Sequence, residues 1–331
     1  MVARELVGRG AVVAAGVVLA GAVGWALFVL VPDSLSELLG VALTVALAAV
    51  GGRVAAGLAA RRFPSYNVAE VSVSGPIARD GGEPNPLSFA PVSPGADEVV
   101  EQIERAAADP AVEALLLQLN TPGGEIVPSD DIRRAVATFE GPVVGYATDV
   151  CASGGYLVGA ACDELWAQEQ TLVGSIGVRG SRPNAAALAD RLGVSYERFT
   201  AGEYKDAGTP LKEVADDERR YLQGLIDDFY DVFVERVAAD RDLDPEHVRA
   251  TEAKVFLGRE AADIDLVDRV GTRDDAEASL DGRLGGVEGV KSFEPSSGLT
   301  GRLGAGTRRV AYALGAGVAS RLGDDRVRFR Y

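Results

Sequence analysis

Three short segments of this chain combine residue types that could do chemistry. Asn120-Thr121-Pro122-Gly123-Gly124 follows an apolar run. Paired glycines at the end of a strand let the backbone approach a ligand closely and turn its N–H groups toward an anion. The same segment also reads as an ordinary strand-to-helix turn. Ala152-Ser153-Gly154-Gly155-Tyr156 lies just past a second apolar run. Ser153 there is equally a helix N-cap or a nucleophile placed where a helix dipole favours developing negative charge. Two Gly-Gly pairs at two strand ends could each offer one N–H to a tetrahedral oxyanion, which suggests acyl chemistry.

A serine nucleophile needs a base. The chain has one histidine, His247. Its setting, Asp-Pro-Glu-His-Val-Arg, reads as the polar start of an exposed helix, and one histidine cannot build a two-histidine metal motif. Gly202-Glu203-Tyr204-Lys205-Asp206 offers a lysine instead. An amine can act as base when desolvation lowers its pKa. Lys205 also reads as a solvated surface charge, and spacing alone does not decide between the two.

The elements that must position these residues alternate. A helix over Ala96 to Ala108 precedes an apolar strand over Ala114 to Leu119. A helix over about Pro128 to Phe139 precedes a strand over Pro142 to Ala147, and a short helix opening near Ser153 leads to a strand around Leu165-Trp166-Ala167. Strands alternating with helical stretches predict parallel βαβ units and an α/β fold, the continuous apolar runs marking strands covered on both faces. A further strand is expected over about Val194 to Phe199. A long amphipathic helix follows from Asp216 to Arg241, apolar at Tyr221, Leu222, Leu225, Phe229, Val232, Phe233 and Val237; its expected role is packing on the sheet or on another subunit. A compact unit over Val255 to Gly271 closes the domain. The Gly81–Gly95 segment is expected to be a loop.

The N-terminal part has a different character. Residues 11–31 are uninterrupted apolar and small residues, and 38–60 form a second such stretch broken only by Thr44 and Arg53. Those lengths match bilayer-spanning helices, and a cleaved signal peptide would carry a shorter apolar region with no second span after it. The expectation is therefore a transmembrane helical hairpin in a multi-pass cell-membrane protein. Arg4 and Arg9 precede the first helix and Arg61-Arg62 follow the second, so the positive-inside rule puts the catalytic domain on the cytoplasmic side. If only the first helix spans, the domain lies outside. Three regions follow: a membrane anchor (1–62), a catalytic domain (63–281) and a Gly/Arg-rich C-terminal tail (282–331).

The 331 residues include 33 Lys and Arg against 49 Asp and Glu, a net charge of −16. That balance argues against nucleic acid as a main partner. An acidic solvated surface of this kind suits a high-salt, halophilic setting. Cys151 and Cys162 lie in small apolar sequence and read as buried free thiols rather than a disulfide framework.

Taken together, Thr121-Pro122-Gly123-Gly124, Ala152 to Tyr156, Gly174-Ser175-Ile176-Gly177-Val178 and Glu203 to Pro210 resemble the signal peptide peptidase A family, over roughly Val68 to Val270. That family consists of Ser-Lys peptidases related in fold to Clp protease and the crotonases. The resemblance implies that Ser153 is the nucleophile and Lys205 the general base. It implies an oxyanion hole from backbone N–H groups near Gly124 and Gly154, and a Ser175 hydroxyl that orients the lysine amine. It further implies a homo-oligomer in which Lys205 of one protomer reaches Ser153 of its neighbour. The implied substrates are remnant signal peptides and other short or unfolded apolar chains, with no cofactor and no metal. Glu125 stands where the family often has a small hydroxyl residue, Leu157 replaces a common second tyrosine, and Asp265 falls where a glycine is usual. Two other readings remain. A crotonase-like acyl-CoA hydratase or hydrolase would need a carboxylate at the site, for which Glu125 is the candidate. An inactive membrane scaffold would leave Ser153 and Lys205 without a role.

Overall fold

The computed structural model describes residues 2–28, 36–81 and 94–295. Two helices come first, α1 (Val2–Phe28) and α2 (Ser36–Arg62). They lie antiparallel, with Gly16 against Ala55, Ala20 against Gly51 and Gly24 against Thr44. Small residues at four-residue spacing let the two backbones approach closely. Among the described residues no helix is long and apolar enough to cross a membrane.

The sheet begins with β1 (Val68–Ser74), then α3 (Ala96–Ala107), β2 (Ala114–Thr121), α4 (Ile126–Ala137), β3 (Val143–Ala152), α5 (Gly154–Ala160) and β4 (Glu164–Ala167). It continues with β5 (Leu172–Gly174), α6 (Ala186–Arg191), α7 (Asp216–Arg241), α8 (Pro245–Ala250), β6 (Val255–Leu257), α9 (Gly258–Asp263), β7 (Arg269–Val270), α10 (Arg273–Leu284) and β8 (Val290–Ser292). The strand order is β6-β5-β3-β2-β1-β8, with β4 paired to β3 and β7. All pairings are parallel except β5 with β6.

The expected α/β architecture with parallel βαβ units is present, and β2 shows why. Leu115, Leu117 and Leu119 face the core built with α3, α4, α5 and α7, while Ala114 and Leu116 face a second cluster closed by Ala276 and Leu280 of α10. All five side chains are fully buried. Burial of each leucine contributes about 1.5–3 kcal/mol.

Two expectations are corrected. Residues 194–199 form no strand; Phe199 is 91% exposed and Val194 50%. Their apolar character has no sheet face to bury against. The boundary expected at 282 falls inside α10, and beyond it β8 pairs with β1 (Val68↔Val290), burying Phe293. Lys291 secures this strand, its amine 3.2 Å from Asp109 and stacked over the Tyr66 and Phe293 rings. The tail from 296 onward, most of the expected 81–95 loop and the last residues of the first apolar run lie outside the described residues.

Candidate active site

The pairing of β2 with β3 shifts register between Leu119 and Thr121: Leu119 faces Ala147, but Thr121 faces Cys151. Such irregularities re-aim a strand and favour the neighbourhood of functional sites. Here the end of β3 swings onto β5, pairing Ala152 with Gly174. The carboxyl ends of β2, β3 and β5 therefore converge, the place where open parallel sheets accept ligands.

At that convergence Ser153 has φ 54 and ψ −125, between a strand and a helix. Few non-glycine residues adopt that conformation, and it is held by its surroundings. Ser153 N–H donates to Gly174 O at 2.8 Å, and its carbonyl accepts Leu157 N–H at 3.0 Å. Beneath it α5 is buried throughout, with Tyr156 donating its hydroxyl to Leu266 O at 2.8 Å.

The two glycine pairs interlock. Gly123 has φ 83, and a Cβ there would meet Gly154 N at 2.5 Å and Ser153 Cβ at 2.9 Å. A Cβ on Gly154 would fall against Ser129 and within 3.4 Å of Gly124 N. Gly123 N–H is taken by Thr121 Oγ1 at 3.1 Å. Neither Gly124 N–H nor Gly154 N–H has an intramolecular acceptor among the described residues. The second is the orphan donor that opens α5. Two unpaired N–H groups thus sit beside the Ser153 side chain.

Ser153, Gly124, Gly154 and Ser175 all line one cavity of about 720 Å³, within the range of ligand sites. Ser175, at φ 52, donates its N–H to Lys254 O at 2.8 Å. The apolar lining includes Ile126, Leu157 and Val178, with Phe229, Val232 and Phe233 from α7. The charged side chains in the lining are Arg179 and Arg236, and Arg236 pairs with Asp130 at 2.8 Å. Among the described residues no acidic side chain lines the cavity. Glu125, the candidate carboxylate for a crotonase-like reaction, is outside that lining and accepts the Arg79 N–H at 3.2 Å.

Lys205 is not brought to Ser153 within this chain. It is exposed, in a turn whose Lys205 N–H reaches Gly202 O at 3.3 Å, and it takes no part in the cavity lining. His247 is also apart, its Nε2 2.9 Å from Ile264 O. Cys151 is fully buried, its thiol pushed up to about 12 by desolvation, and burial raises Cys162 as well. Asp265 has φ 59, the left-handed region that explains a glycine preference at that turn. Sequence reasoning missed Ser129, Arg179 and Arg236. It also missed that α7 walls the cavity, although the 229, 232, 233 spacing of one apolar face was visible.

The sequence profile of peptidase family S49 matches residues 138–286, a range holding both Ser153 and Lys205. A candidate protease of Methanocaldococcus jannaschii is 34% identical over 223 residues, 65% of this chain and 69% of that one. A candidate signal peptide peptidase of Enterococcus faecium is 33% identical over 64% of this chain and 62% of its own length. A solved Clp protease mutant from Listeria monocytogenes covers 62% of this chain and 93% of its own at 14% identity and a TM-score of 0.42, too distant to carry an argument. The Methanocaldococcus relative is a third identical over more than two thirds of its own length, and the profile match runs through the strained serine turn. The chain therefore belongs to peptidase family S49, the signal peptide peptidase A family, and is a serine peptidase.

Proposed function

We propose that the protein is a membrane-anchored endopeptidase in which Ser153 attacks the scissile carbonyl and Lys205 of a neighbouring protomer is the general base. One observation carries this reading: among the described residues, the cavity around Ser153 is lined by no side chain able to take its proton. The charged side chains there are two arginines, a residue type too basic to serve. A base must arrive from elsewhere, and Lys205 stands exposed in the segment 179–215. That segment presents Leu188, Leu192, Val194 and Phe199 to solvent, an apolar surface suited to another copy of the chain.

In the reaction, Lys205 as neutral amine takes the Ser153 hydroxyl proton as Oγ bonds to the carbonyl carbon. The oxyanion is met by Gly124 N–H and Gly154 N–H. The lysine ammonium then gives its proton to the leaving nitrogen as the C–N bond breaks, leaving an acyl-serine that water hydrolyses by the same route. The Ser175 hydroxyl orients the lysine amine. The apolar walls favour short or unfolded apolar chains, including remnant signal peptides.

The membrane anchor rests on 1–62. Val18, Leu19, Trp25, Val45, Val50 and Val54 point outward on α1 and α2 and are more than half exposed, a surface that lipid would cover. The flanking arginines then place the domain on the cytoplasmic side.

The test mixes two inactive chains. Ser153→Ala and Lys205→Ala proteins are each solubilised in detergent at high salt, then combined under conditions that exchange subunits. Hydrolysis of a quenched fluorescent apolar peptide returns in the mixture if serine and lysine pair across protomers. A mixture as inactive as its parts, with mixed oligomers demonstrated, rules the pairing out.

A further inference from the structure

Resting on the reading of Lys205 as the base, we infer that Lys205 is aimed by a two-point clasp on the start of α7, formed by its two sequence neighbours. On one side, the Tyr204 ring stacks on Tyr221 at 4.8 Å between centroids. On the other, Asp206 lies 3.0 Å from Lys212 Nζ, and the same amine binds Glu218. Glu218 and Tyr221 are three residues apart and so share one face of the helix. A lysine side chain has many rotamers, and a backbone fixed on both sides removes most of the positional freedom that would blur the attack geometry.

The clasp is also a charge device. An amine must lose its proton to act as base, and an uncompensated acid beside it opposes that loss. Asp206 and Glu218 are nearly buried, with side-chain exposures of 5% and 6%. They face Lys212, itself 16% exposed, and Arg198, 3.4 Å from Asp206. Two acids therefore meet two bases. Around them, the Arg182 guanidinium donates to the carbonyls of Thr209 and Lys212. Glu213 accepts from Asn184, and Glu203 is exposed on the far side of Tyr204. Glu218 further accepts the Ala215 N–H, capping α7.

The protonation states hold across the working range. Burial raises the Asp206 carboxyl, but Lys212 and Arg198 outweigh it and leave it below its ordinary range. Lys212 and the Ala215 N–H lower Glu218. Glu218 raises Lys212 against its burial, with Asp206 adding to the effect. The acids' contribution is thus lost only below the ordinary carboxylate range, and that of Lys212 only above the ordinary lysine range. The clasp stays closed across that range.

The experiment compares Lys212→Met, Lys212→Arg and Tyr221→Leu with wild type, each as a full-length detergent-solubilised oligomer of checked size. Peptide hydrolysis is followed as kcat and KM across pH. Lys212→Met leaves two acids facing one base, so the rise of rate with pH moves upward on the order of half a unit. Both Lys212→Met and Tyr221→Leu lower kcat about tenfold or more with KM within about twofold, as expected when only the reacting geometry is lost. Lys212→Arg restores most of the rate. If Lys212→Met fails to assemble, Tyr221→Leu, a change at a 44% exposed ring, carries the test alone. Wild-type kcat and an unmoved pH profile in the assembled variants overturn the clasp. Full activity in Lys205→Ala overturns instead the reading of the base on which it rests.

Discussion

Replacing Ser153 by glycine and by alanine separates the strain of its turn from the chemistry of its hydroxyl. Both variants lack the proposed nucleophile, and both keep the N–H that donates to Gly174 O. Alanine inherits the φ of 54 and ψ of −125, whereas glycine adopts them freely. A strained non-glycine conformation costs about 1–3 kcal/mol. Glycine gives back about 0.5–1 kcal/mol through the larger entropy of its unfolded chain. Ser153→Gly should therefore be more stable than Ser153→Ala by up to about 2.5 kcal/mol. For a domain of roughly 200 residues each kcal/mol moves Tm by about 2–4 °C, giving an expected gap of up to about 10 °C. The assay is scanning calorimetry of the two inactive proteins in the same detergent and salt. A glycine variant that melts at or below the alanine variant would mean that the turn stores no strain, and that the serine is not presented by a conformation the fold forces on it.

Other outcomes follow from the same geometry. Gly154→Ala puts a methyl against Ser129 and toward Gly124 N; kcat should fall about 100-fold with little change in KM, as when an oxyanion donor is displaced, and Ser129→Gly in the same chain should recover part of it. Peptide turnover should vanish in Lys205→Arg, because a guanidinium keeps its proton; measurable steady-state hydrolysis by that variant would remove lysine from the base role. Ser153→Ala should lose on the order of a thousandfold or more in rate. A thiol pushed up to about 12 and buried, as Cys151 is, is almost wholly protonated at pH 8. Iodoacetamide should accordingly leave peptide hydrolysis unchanged, and inactivation tracking Cys151 alkylation would show that the end of β3 opens to solvent.

The parts of the fold legible in the sequence are those where a single physical requirement dominates. The parallel strands at 114–121 and 143–152 must be apolar on both faces, so they stand out as runs. The 216–241 helix repeats its apolar face over nearly five turns. The two glycine pairs and Ser153 were identifiable because close backbone approach admits few other residues. Elsewhere the signal depends on distant partners. Residues 194–199 have strand-like composition but no sheet edge to join. The strand at 290–292 is three residues long and owes its place to β1 and to Lys291. Ser129 and Arg236 touch the cavity only because α4 and α7 are brought beside the end of β3, a relation no local spacing encodes. The apposition of Lys205 and Ser153 is absent from the single chain altogether.

The position of β8 has a consequence for how the protein is made. The strand that leaves the hairpin first, β1, is covered on one side by β2 and on the other by β8, the last strand described. During synthesis β1 emerges early, and its outer edge, Val68 to Glu70, has no partner until Val290 to Ser292 have left the ribosome. For more than two hundred residues of elongation the nascent domain carries an open parallel edge, the kind of edge that invites pairing with another chain. A nascent chain held at a membrane by its hairpin would spend that interval tethered and spaced from its neighbours. On the proposed reading, the N-terminal hairpin would protect the growing sheet as well as anchor the finished enzyme.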